Sequence, residues 1–197
     1  MGLSIHYSGS FKKEASLIAM INEVKDIAEI YDWEFAIFSE QFPENAFGSN
    51  AYNDELYGIM FTPPNCETIS LSFLSNGKMC CAPNLMFYGN SDDERDQLYL
   101  YMLSTKTQFA GSATHKIIIH LLKYLTDKYF YEFKLSDEGE YWETMDEILL
   151  ETNFKKYTDL IDSVADSFKN VPKQHAESFS DYFERILKII SDKNKPV

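Results

Sequence analysis

The chain predicts an α+β fold: a mainly antiparallel sheet with two β-α-β units and a central strand meander, helices packed on one face, and C-terminal helices. Three observations lead there. A strand–helix–strand plan occurs twice, in residues 3–38 and 98–135. Short alternating strands lie between the copies, and beyond Ser136 the pattern is helical only. Setting Ser8 on Ser104 also sets Trp33 on Tyr129, Phe35 on Tyr131 and Ile37 on Phe133 without a gap, which suggests two related halves of one sheet.

The elements follow in order. Leu3, Ile5 and Tyr7 alternate with Ser4 and His6, the period of a half-exposed strand, and Ser8-Gly9-Ser10 is expected to turn the chain. From Ala15 to Tyr31 the residues Leu17, Ile21, Val24, Ala28 and Tyr31 make one helical stripe, with Lys25, Asp26 and Glu29 off it. Trp33, Phe35 and Ile37 face one way along a second strand. Pro43, Asn45, Gly48 and Asn50 then mark residues 40–54 as loop.

The central meander begins with a strand from Tyr57 to Thr62, ended by Pro63-Pro64. Ile69, Leu71 and Phe73 alternate with Ser70 and Ser72. Asn76-Gly77 predicts a tight hairpin turn, because both of its residues tolerate positive φ. Lys78 to Ala82 is the expected return strand, Asn84 to Tyr88 a further short strand, and Ser91 to Asp96 a charged loop.

The second unit is expected as a strand from Leu98 to Leu103, a helix from about Ala113 to Lys128 carrying Ile118, Leu121, Leu122 and Leu125, and a strand from Tyr131 to Leu135. Thr144 to Glu147 has the spacing of a capping box. Phe154, Tyr157, Ile161, Val164, Ala165 and Phe168 form an apolar face, Pro172 interrupts it, and Phe179, Phe183, Ile186, Leu187 and Ile190 mark a last helix. Residues 1–170 read as a single α+β domain, and residues 171–197 as a C-terminal helix packed on it with a short tail from Asn194.

The 197 residues are 45% hydrophobic and 15% aromatic, enough apolar material for a real core. Eighteen basic against thirty-one acidic side chains give a net charge of -13. A field of that sign repels phosphate backbones and anionic lipid, so nucleic-acid and membrane binding are disfavoured, whereas a basic protein partner fits; solubility explains the charge equally well. No signal-peptide pattern and no apolar run of the ~18 residues needed for a membrane span are present, which points to the cytoplasm. Cys66, Cys80 and Cys81 read as reduced, partly buried thiols. Neighbouring Cys80 and Cys81 would point to opposite faces of a strand, against a shared metal.

Three segments, Leu3 to Gly9, Lys106 to Gly111 and Asp137 to Thr144, taken in this order and spacing, resemble a family of uncharacterised bacterial proteins of about this size. The resemblance covers residue 3 to roughly residue 160. It implies a bacterial cytoplasmic protein and brings no activity. Members of that family tend to carry a second glycine where this chain has Glu140, which implies a less bent loop here.

Two of these segments hold most of the candidate site residues. Lys106, Thr107 and Gln108 join a strand to a helix, where unpaired helical amides favour an anion; the motif is neither of the established glycine-rich phosphate loops, and the alternative is a brace between loops. Between Asp137 and Glu143 four carboxylates accompany Tyr141 and Trp142. Close carboxylates suit acid chemistry or a hard cation, while acidic residues also complement the start of a following helix, with the two rings pinning the loop to the core. His115 and His120 are five apart, not the four that place two ligands on one helical face, so no metal set is predicted. No cofactor motif and no complete catalytic motif are present.

Two functional readings follow. The first is a soluble, acidic, noncatalytic binding or interaction module, one form of which is an immunity-type protein that neutralises a basic toxin. The second is a small-molecule enzyme whose pocket gathers His6, Lys106, Gln108, His115 and Glu138, with Tyr141 and Trp142 as neighbouring ligand-binding candidates. The first is preferred, because no enzyme motif is complete.

Overall fold

Among the described residues, six strands divide between two antiparallel sheets of three. A computed structural model describes residues 2–47 and 49–193; the expected tail from Asn194 to Val197, and Gly48 within the expected loop, lie outside them. In chain order the elements are β1 (Ser4–Phe11), α1 (Leu17–Ile30), β2 (Glu34–Ile37), β3 (Tyr57–Thr62), β4 (Ile69–Phe73), α2 (Ala82–Tyr88), α3 (Glu94–Leu100), β5 (Leu103–Lys106), α4 (Gly111–Tyr129), β6 (Phe130–Asp137), α5 (Tyr141–Thr144), α6 (Glu147–Asn170) and α7 (Phe179–Lys193). The first sheet has the order β5-β1-β6 and the second β2-β3-β4.

The fold is α+β, and of the expected central meander β3 and β4 are strands, which form the second sheet together with β2. The duplicated plan, however, does not make two halves of one sheet. The β5-α4-β6 unit is split, because β1 runs antiparallel between its two strands. In the other unit, α1 carries the chain from β1 in the first sheet to β2 in the second. Residue periodicity specifies which side of a strand is apolar, not which strand lies beside it, so equal patterns reached unequal topologies.

Several local expectations shift for identifiable reasons. Ser8-Gly9-Ser10 does not turn the chain but continues β1, with a register shift against β6 between Ser8 and Ser10. The segment from Asn84 to Tyr88 is helical, because Pro83 occupies the first turn of α2, where its missing N–H costs nothing. The expected charged loop ends at Asp93, whose side chain caps α3, so Leu98 to Leu100 are helical and β5 starts only at Leu103. The helix after Thr144 is capped by Asp146, which accepts from the amides of Ile148 and Leu149, and no capping box forms.

The chain does turn at Asn76-Gly77, with only Gly77 at positive φ (81°). The expected return strand from Lys78 to Ala82 is reduced to isolated bridges at Lys78 and Met79 before α2 begins at Ala82, and this arm joins the sheets. Leu74 N–H donates to the Lys78 carbonyl and Cys80 N–H to that of Ser72, while Phe11 N–H donates to the Gly77 carbonyl and Met79 N–H to that of Gly9. Buried Tyr7 makes a second tie: its hydroxyl donates to the Ser70 carbonyl at 3.1 Å and accepts from the Ser70 amide at 3.0 Å. Burial pushes the Tyr7 phenol well above its ordinary range, so it stays a donor.

One core fills the space between sheets and helices. Ile5, Leu103, Ile118, Leu122 and Leu125 meet Met20, Val24, Ile59, Phe61 and Phe73, each full burial contributing about 1.5–3 kcal/mol. The α1 stripe is as expected except at its end: Tyr31 is half exposed and stacks on Trp33 with ring centroids 5.0 Å apart. Cys80 is buried and Cys66 and Cys81 are half-buried; burial pushes the thiols of Cys66 and Cys80 up to about 12, leaving them protonated and unreactive.

The apolar residues of the C-terminal helices divide between two clusters. Phe154 joins the main core, whereas Phe168 stacks on Phe183 in a separate cluster built by α6 and α7 around Tyr182, Ile186 and Ile190. Arg185 closes that hairpin with two bonds to Glu177, at 2.8 and 2.9 Å, which hold the Glu177 carboxyl down at about 2. Because the folded value lies below the ordinary 4.5, this contribution is present above 4.5 and disappears as pH falls toward 2. Protection of the α7 amides, measured relative to the intrinsic exchange rate at each pH, should therefore fall over that interval, and Arg185→Ala should remove that fall.

Candidate functional site

The strand-to-helix loop before α4 and the loop after β6 meet at the amino end of β1. Thr107 N–H donates to the Leu3 carbonyl at 3.0 Å, and Glu138 N–H donates to the Ser4 carbonyl at 3.1 Å. Both loops are thus sewn to the same strand from opposite edges. They share a buried node and, above it, an open sheet face.

The buried node is a chain of Thr107, His115 and Asp137. Thr107 Oγ1 lies 2.8 Å from His115 Nδ1, and His115 Nε2 lies 3.1 Å from Asp137 Oδ2. The Asp137 carboxylate also accepts from the amides of Gly139 (2.7 Å), Tyr141 (2.8 Å) and Trp142 (3.0 Å). Burial raises the Asp137 pKa, but His115 and the amides outweigh it, and the carboxyl ends below its ordinary range. An ionised Asp137 requires the His115 proton on Nε2. In the neutral ring Nδ1 then accepts from the Thr107 hydroxyl.

Hydroxyl, imidazole and carboxylate stand here in the order that nucleophilic hydrolases use. Their burial assigns them a different task. Thr107 and His115 have no exposure, and the edge of the His115 ring packs on Phe154 with centroids 5.4 Å apart. The carboxylate is saturated by four donors, and three of them set the turn that starts α5. This is a structural clamp joining α4, β6 and α5.

The remaining candidates separate into two layers. Gln108 is buried: its Oε1 accepts from Leu3 N–H at 3.2 Å and its Nε2 donates to Thr158 Oγ1 at 3.1 Å, tying the start of the chain to α6. Tyr141 is buried with its hydroxyl 3.3 Å from His120 Nε2. Trp142 packs 5.9 Å from the Phe133 ring, and the Lys123 ammonium sits 4.6 Å over it while donating to its carbonyl. These residues brace the two loops.

His6, Glu138 and Lys106 lie outside. Glu138 Oε2 accepts from Ser4 N–H at 2.7 Å, its Oε1 stands 3.6 Å from His6 Nε2, and Lys106 pairs with Ser4 from the other edge. Because His115 and Gln108 are interior, the five side chains grouped by the sequence do not converge on one opening. Among the described residues, no three His, Cys, Asp or Glu side chains are grouped to hold a metal ion.

The residues that sequence reasoning left out are Thr107 as a hydrogen-bond partner, Asp137 as a shared acceptor, and the hairpin of α2 and α3. That hairpin exposes Met86 (73%), Phe87 (68%), Leu98 (68%) and Tyr99 (52%), and Met102 (56%) is exposed in the link from α3 to β5. Tyr88 links its rings, 6.5 Å from Phe87 and 5.7 Å from Tyr99. Asn84 donates to the carbonyls of Tyr99 and Met102, both at 2.9 Å, which fixes α2 against the end of α3. Asp92 and Asp93 are exposed in the connection between the helices, and Glu94 and Arg95 at the start of α3.

No family model, curated protein or solved structure matches the chain. Among the described residues no helix is long and apolar enough to cross a membrane.

Proposed function

We propose that the protein is a noncatalytic binding module that holds a protein partner through the α2–α3 hairpin. The observation that carries this reading is the concentration of exposed Met86, Phe87, Leu98 and Tyr99 within one hairpin, with Met102 just beyond it. Single exposed apolar residues need no explanation; a group with two aromatic rings and two methionines has the composition of an interface centre. Asp92, Asp93 and Glu94 beside it, with a net charge of -13, favour a partner whose matching surface is basic. A second copy of the chain would bring the same carboxylates and the same net charge, so a basic partner fits better. A cytoplasmic bacterial protein of immunity type, neutralising a basic toxin, is one form of this proposal.

The test is titration of the purified protein against a panel of basic proteins at low and high salt, with the wild type and Phe87→Ser. Phe87 is so exposed that its replacement should change stability by no more than about 0.5 kcal/mol. Affinity for a true partner should fall about tenfold or more, and should weaken with salt. Binding that is insensitive to both salt and Phe87→Ser argues against the reading, as does self-association that the substitution abolishes.

A further inference from the structure

Independently of the hairpin, we propose that the bulged centre of the first sheet binds a small aromatic oxyanion, a carboxylate or phosphate carried on a planar ring. The register supplies the geometry. Ser8 pairs with Lys134 but Ser10 pairs with Tyr131, so β6 fits both Glu132 and Phe133 opposite Gly9, and Glu132 takes a φ of 49°. Bulges of this kind re-aim side chains beside binding sites. On the other edge β5 pairs only as far as Tyr7. There the arm after Asn76-Gly77 takes over and sets Lys78 against Ser10.

Two lysines therefore approach Ser8-Gly9-Ser10 from opposite sides. They line a groove of about 480 Å³ with Tyr101, Glu132 and Phe133, a volume within the ~300–1,000 Å³ usual for small-molecule pockets. Residue 9 has no side chain, which lets β6 approach closely at the bulge: a Cβ there would lie 3.1 Å from Phe133 Cα. The Lys78 ammonium is held 4.8 Å above the Tyr101 ring. Among the described residues neither Lys78 nor Lys134 has a carboxylate within ion-pair distance, although Lys25, Lys116, Lys128 and Lys169 do. Glu132 stands beside the Tyr131 hydroxyl, whose pKa it raises.

Unpaired cations flanking serine hydroxyls fit an oxyanion, and Tyr101 and Phe133 fit the ring that carries it. The net charge of -13 opposes an anion at long range, but at physiological salt that field is largely screened beyond ~8 Å, leaving the two lysines, against the single carboxylate of Glu132, to set the local sign.

Calorimetric titration of the full chain with phenyl phosphate, benzoate and inorganic phosphate tests the proposal. One saturable site is expected for at least one ring-bearing probe, and benzoate against phenyl phosphate decides between carboxylate and phosphate. Lys134→Met and Lys78→Met should each weaken binding about tenfold. Lys188→Met on α7, well exposed, should leave it unchanged. Lys134 is itself exposed, so its variant should fold. No saturable binding of either ring-bearing probe, equal affinity in the Lys134 and Lys188 variants, or inorganic phosphate binding as tightly as the ring-bearing probes would each overturn it.

Discussion

Asp137→Ala should lower the stability of the fold by about 3–5 kcal/mol, the range for removing one partner from a buried ionic hydrogen-bond network. The substitution strips four donors at once: His115 Nε2 and the amides of Gly139, Tyr141 and Trp142. None of them gains water easily, since the His115 and Asp137 side chains are both fully buried. The measurement is chemical denaturation at neutral pH, and a loss below about 1 kcal/mol would mean that water replaces the carboxylate. The acid limb should change as well. The folded Asp137 pKa lies below the ordinary 3.8, so its contribution is present above 3.8 and is lost as pH falls through the lower folded value. Asp137→Ala should therefore lose that part of the acid dependence. Thr107→Val is the milder companion, removing only the hydroxyl at the far end of the chain.

Gly58→Ala should cost about 2–4 kcal/mol, from backbone strain together with overpacking. Gly58 sits in β3, the central strand of the second sheet, with a φ of 121° that side-chain-bearing residues rarely adopt. A Cβ there would stand 2.3 Å from the Leu71 carbonyl oxygen, a backbone atom of the paired strand that has no rotamer to retreat into. The same glycine bonds outward as well: Phe38 N–H donates to its carbonyl and its N–H donates to that of Ser39. Gly111→Ala provides the control. Gly111 also has positive φ, at 85°, but open space where the Cβ would sit, so it isolates the conformational part at about 1–2 kcal/mol. Equal losses in the two variants would remove the steric half of the argument.

The legible parts of the fold were those set by near neighbours in the chain. Leu17, Ile21, Val24 and Ala28, and likewise Ile118, Leu121, Leu122 and Leu125, had to share a helical face, and all are buried. Ile69, Leu71 and Phe73 had to share a strand face, and the turn at Asn76-Gly77 had to reverse the chain. What misled was short-range ambiguity: α2 and α3 have seven residues each, too few for a helical period to separate from a strand. The α2–α3 apolar group was hidden for that reason, since Met86, Phe87, Leu98 and Tyr99 read as ordinary strand residues until their helices were placed.

The candidate site was half legible. Composition drew attention to the segments 104–111 and 137–143, and they do converge on β1. Which of their side chains face inward could not be read, because it depends on a crossover that brings residues 3, 107 and 137 together across more than a hundred positions. Local sequence determined the long helices, the strands β3 and β4, the turn and the apolar faces, through backbone preferences and side-chain periods that act within a few residues. Only the tertiary structure decided that β1 splits the second strand–helix–strand unit, that His115 is spent inside a clamp, and that Lys78 and Lys134 flank one bulge. Strand partners are chosen by the burial of the whole core at once, and no window of residues carries that sum.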